Sequence, residues 1–101
     1  MSESTWTRFF DMSSGGFEKT NYAIIWIEAP EEQATRVFEN VFDIHPFNIT
    51  CACCGSDFSV DVYYDTEAMR EGDAIISKED VVNIESGFSL GAIEVYKGGT
   101  K

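Results

Sequence analysis

Residues 21–28, "NYAIIWIE", are apolar at nearly every position. A strand with one wet face alternates apolar and polar residues, whereas one that fails to alternate has to be covered on both sides. This segment is therefore expected in the middle of a sheet or beneath a helix, and the rest of the chain has to supply its cover. At 101 residues the chain can bury roughly two thirds of its unfolded surface, enough for one core. A single domain over residues 1–101 is expected.

The neighbouring segments offer that cover. Residues 5–12, "TWTRFFDM", are aromatic and β-favouring. In "EAPEEQATRVFENVFDIHP", Pro30 suits a first helical turn and Glu31 and Glu32 suit the positive end of the helix dipole. Ala34, Val37, Phe38, Val41 and Phe42 recur at helical spacing on one face, and His45-Pro46 closes the element. Residues 57–64, "DFSVDVYY", alternate: Phe58, Val60, Val62 and Tyr64 are expected inside, Asp57, Ser59, Asp61 and Tyr63 outside. "TEAMREG" reads as a turn or one helical turn, "DAIIS" as a short strand leading into "KEDVVNI", and "GFSLGAIEVYK" as a last strand with Gly87 or Gly91 at a bulge. The fold class that follows is α+β, an antiparallel sheet of about five strands with one main helix, residues about 30–43, packed on a face.

Charge narrows the partners. Eighteen acidic residues against seven basic ones give a net charge of -11, a field that repels nucleic acid and anionic membranes. The N-terminus lacks the basic start and apolar core of a signal peptide, and no apolar run approaches the ~18 residues of a membrane span. Three cysteines within four positions make no disulfide framework and agree with a reducing compartment. A cytoplasmic protein is expected.

Four constellations could carry chemistry. Cys51 and Cys54, followed by Gly55, form a Cys-x-x-Cys-Gly turn able to hold one side of a tetrahedral zinc. His45, the only histidine, is the one further nitrogen ligand, and no second cysteine pair exists. Buried structural thiols explain the turn equally, and zinc is the one cofactor left open. His45 and the carboxylates give no catalytic motif, so no catalytic residue is assigned. Asp57, Asp61 and Asp65 share one strand face about 13 Å apart, and with Glu67, Glu71 and Asp73 they form an acidic edge. Such an edge either imitates nucleic-acid phosphates to a basic protein or protects the sheet from aggregation. Finally, "DMSSGGFEKT" holds Ser13, Ser14, Gly15, Gly16, Lys19 and Thr20. Consecutive glycines can aim backbone N–H groups at an anion, but the spacing is not that of a P-loop, and serine and glycine are equally the chemistry of a hairpin turn.

Taken together, "TWTRFFDMSSGG…K", "IWIEAPEEQATRVFENVFDIHPFNITCACCGSDFSV" and "DAIISKEDV" resemble a group of small proteins encoded by tailed bacteriophages. Trp6, Asp11, Met12, Gly15, Gly16 and Lys19 match the group's first motif, and Cys51, Cys53, Cys54, Gly55 and Asp57 its cysteine turn. Members tend to carry histidine at the position of Ser13, a further glycine near Phe17 and tyrosine at that of Phe58. The resemblance names a source, an infected host cell, and raises binding above catalysis, because small phage proteins outside the virion commonly act on host components.

The expected function is a non-enzymatic host-takeover or anti-defence protein that sequesters a small nucleotide-type ligand. Its site would comprise Trp6, Arg8, Asp11, Ser13, Ser14, Gly15, Gly16, Phe17 and Lys19, with Trp6 or Phe17 stacking on a base. A homo-oligomer is expected, since one small chain has little room for an enclosed pocket. Two alternatives stand beside it: an acidic inhibitor of a basic host protein acting through Asp57, Asp61 and Asp65, and a zinc-knuckle adaptor through Cys51, Cys54 and His45.

Overall fold

The computed structural model describes residues 5–12, 20, 22–47, 55–64, 67–87 and 93–96. The continuous apolar segment is its centre. Strand β2 (Ile24–Ile27) lies third in a five-stranded sheet of order β3-β1-β2-β4-β5, flanked by β1 (Trp6–Asp11) and β4 (Ala74–Ile76), with β3 (Phe58–Tyr63) and β5 (Glu94–Val95) at the edges. Ile25, Trp26 and Ile27 are fully buried. The sheet is antiparallel except where β2 runs parallel to β4. The α+β class and the number of strands agree with the sequence; the parallel pair is new.

Cover comes from different elements on the two faces. Helix α1 (Glu31–Phe42) and a shorter α2 (Lys78–Glu85) lie on the face that receives Phe9, Ile25, Ile27, Phe58, Ala74 and Ile76. Phe38 is the hub there: its ring centroid lies 4.6 Å from that of Phe9, 4.9 Å from Phe42 and 5.0 Å from Phe58. On the opposite face Trp6, Trp26 and Met69 form a smaller cluster joined by Ile24, Tyr63, Ala68, Ile75 and Tyr96. The turn after β3 thus folds back over the sheet. Its carboxylate anchor is Asp73, which accepts hydrogen bonds from Trp26 Nε1 at 2.8 Å and from the Arg70 N–H at 2.9 Å. Gly72, with φ 96°, makes the tight return before β4.

Several local readings are corrected. Pro30 is the residue before the first helical turn of α1, not within it, and it offers no side-chain cap. The helix ends at Asp43, whose left-handed φ of 60° lets its N–H reach Glu39 O at 2.9 Å, so His45-Pro46 follows the stop and does not cause it. "KEDVVNI" lies in α2: the Ser77 side chain accepts from Asp80 N, Glu79 and Asp80 fill the first turn, and Val81 and Ile84 are buried. Gly87 is no bulge, since it follows α2 with φ 95° and bonds back to Ile84 O, as a helix-terminating glycine does. Tyr64 lies beyond β3 and is exposed, whereas Tyr63, expected outside, packs edge-on against Trp26 at 5.1 Å.

Candidate functional site

Strand β1 distributes its side chains by the period of two. Thr7, Phe9 and Asp11 face the helices; Trp6, Arg8 and Phe10 face away. Arg8 stands between Asp61 on β3 and Trp26 on β2. Its Nη2 pairs with Asp61 Oδ2 at 2.6 Å, and its guanidinium carbon lies 5.2 Å from the Tyr63 ring centroid and 5.9 Å from that of Phe10. The Arg8 Nε is buried with no hydrogen-bond partner among the described residues. A guanidinium beside two rings, on a sheet face that neither described helix covers, has the chemistry to meet an anionic or aromatic group.

The expected site residues separate accordingly. Trp6 and Arg8 do share a face, but Trp6 is only 8% exposed within the cluster around Met69 and is not free to stack on a base. Phe10, which the sequence did not single out, takes that position at 38% exposed. Asp11 is buried on the helix side, because the strand's period places it opposite Arg8. Ser13, Ser14, Gly15, Gly16, Phe17 and Lys19 lie outside the described residues, as do Asp65, Cys51, Cys53 and Cys54. The flanks of the two loops do meet: Met12 N bonds Asp57 O at 3.0 Å, and Phe58 N bonds Pro46 O at 3.2 Å. Met12, two residues beyond Phe10, thus neighbours Asp57, and Phe58 neighbours Pro46.

The acidic row does not form a continuous exposed edge. Asp57 and Asp73 are buried, and Asp61 is engaged by Arg8; Glu67 and Glu71 remain exposed. His45 has both ring nitrogens engaged, Nδ1 accepting from Phe47 N at 3.1 Å and Nε2 lying 3.2 Å from Glu39 Oε2. A zinc ligand needs one of those lone pairs, so metal binding would require His45 to give up the Phe47 contact. Among the described residues no group of three or more His, Cys, Asp or Glu is placed to hold a metal ion. Nor is any described helix long and apolar enough to cross a membrane.

A second concavity lies on the helix side. An open groove of about 630 Å³ runs along the outer stripe of α1, lined by Glu31, Glu32, Thr35, Arg36, His45 and Phe47. Neither it nor the Arg8 face can be assigned by likeness to another protein: no family model, curated protein or solved structure matches the chain.

Proposed function

We propose that the protein is a non-enzymatic binding protein of the host-takeover or anti-defence kind, and that it sequesters a small nucleotide-type ligand on the open face of the sheet. The observation that supports this reading is the Arg8 cluster. One cation, flanked by Phe10 and Tyr63, sits on the strand that feeds directly into the Ser13–Lys19 loop. Arg8 supplies charge to a phosphate and Phe10 an accessible ring to a base. Asp61 holds Arg8 in place while the site is empty and has to be displaced or bridged by the ligand. The phage resemblance supports the biological setting.

A thermal-shift screen against cyclic dinucleotides and ADP-ribose derivatives tests this. Ligand at a hundredfold excess over Kd stabilises by about 2.7 kcal/mol, which for a domain of this size raises Tm on the order of 10 °C. The expected outcome is a shift with one ligand class that Arg8→Ala abolishes. Absence of any shift across the screen overturns the proposal.

A further inference from the structure

The groove along α1 carries an inference independent of the ligand on the sheet. Its lining has one arginine, and it is met by a carboxylate outside the lining, Arg36 Nε lying 3.4 Å from Glu85 Oε2; His45 Nε2 likewise lies 3.2 Å from Glu39 Oε2. Glu31 and Glu32, also in the lining, are exposed and their carboxylates have no partner among the described residues. The helix dipole accounts for two carboxylates in a first turn. It does not account for Phe47, an aromatic ring 41% exposed in the same lining, with the His45 ring 5.7 Å away. Nor does it account for a volume within the ~300–1,000 Å³ of ligand clefts.

We propose that this groove docks an arginine-bearing segment of a basic partner protein. The complementarity is specific in kind. A guanidinium can fork its parallel N–H groups onto a carboxylate while its plane lies against an aromatic ring; an ammonium meets the first requirement as a point charge only. Glu31 and Glu32 supply the carboxylates and Phe47 the ring, and Thr35, one turn on from Glu31, lines the groove with them. The uncompensated negative charge of the groove, within a chain of net charge -11, also steers such a partner towards it.

The test is fluorescence anisotropy with a labelled Arg-Ser repeat peptide at low ionic strength, beside Lys-Ser and Glu-Ser repeats. General acidity is controlled by two double variants with the same change in charge, Glu31→Gln/Glu32→Gln in the groove and Glu79→Gln/Glu94→Gln on other exposed positions. The proposal expects the arginine peptide to bind and the groove variant to weaken it about tenfold, with the control variant and the glutamate peptide showing little effect and no binding respectively. Phe47→Ala, which leaves charge untouched, should reduce the preference for arginine over lysine. Equal loss in both double variants, or no binding of the arginine peptide to the wild-type chain, overturns it. So does sedimentation showing that the groove variant instead dissolves a dimer, since the occupant would then be a second copy of this chain.

Discussion

The two faces of the sheet are built from the same strands yet stabilised differently. The helix-covered face takes twelve buried residues into one cluster, eleven from both helices and four strands and Ala29 from between β2 and α1, with three aromatic rings around Phe38. Among the described residues the buried apolar cluster of the opposite face is Trp6, Trp26 and Met69, with Phe10 exposed and a charged Arg8 beside it. A layer of helices makes the first face a core; a single turn, held by Asp73, half-covers the second. The difference separates what the fold needs from what it tolerates: side chains in the first cluster are interchangeable only at the cost of the fold, while the exposed Phe10 and Asp61 beside Arg8 can vary with little structural penalty.

The largest effect should come from matched phenylalanine truncations. Phe38→Ala removes a fully buried ring and leaves a cavity, which costs about 3–5 kcal/mol. Phe10→Ala removes one already 38% exposed and should cost less than about 1 kcal/mol, while diminishing the ligand-induced shift proposed above. Urea denaturation of both measures the contrast, and equal losses would show the open face to be a core in its own right. Next in size is Asp73→Ala. It strips the acceptor from the buried Trp26 Nε1 and from Arg70 N–H, at about 2–3 kcal/mol for charge-assisted bonds. Trp emission should shift to the red as the turn lifts, and Asp73→Asn, which keeps an acceptor, should lose less.

Where pattern is local the sequence was a sufficient guide. Residues 21–28 had to be covered on both sides because they do not alternate, and Ile24–Ile27 within them form the central strand; Ala34, Val37 and Phe38 had to share a face because they recur at helical spacing, and all three are buried. The second face was hidden because it depends on distant pairing. Arg8 and Asp61 are neighbours only through the β1–β3 register, 53 positions apart. Tyr63 was expected in water because nothing in its own strand announces that Ala68 and Met69 return over it. Two signals were present and unread. The Ser77-x-x-Asp80 pattern marks the start of α2, and the strand period by itself separates Asp11 from Arg8.

That same Ser77 gives a prediction of intermediate size. Its side chain accepts from Asp80 N at 3.4 Å and donates to Asp80 Oδ2 at 3.3 Å, and α2 is only eight residues long. Ser77→Ala should cost about 1 kcal/mol. Because α2 belongs to the covered face, the loss should appear as a lower Tm with the ligand-induced shift unchanged. A diminished ligand shift would mean that the two faces are coupled through β4, and the separation argued above would fail.

The smallest stability effect, and the sharpest on recognition, belongs to the Arg8–Asp61 pair. Its side chains are 25% and 47% exposed, so water and salt screen it, and a double-mutant cycle should return roughly 0.2–1 kcal/mol, less at high ionic strength. Asp61→Asn should therefore melt close to the wild type. On the open face the consequence is opposite in sign: the carboxylate that occupies Arg8 is gone, and an anionic ligand no longer has to compete with it. If Arg8 is the phosphate contact, Asp61→Asn should bind the nucleotide-type ligand more tightly than the wild-type chain, read as a larger thermal shift at equal concentration. A smaller shift would mean that Asp61 orients Arg8 for the ligand and stays in contact with it, and an unchanged one would remove Arg8 from the site altogether.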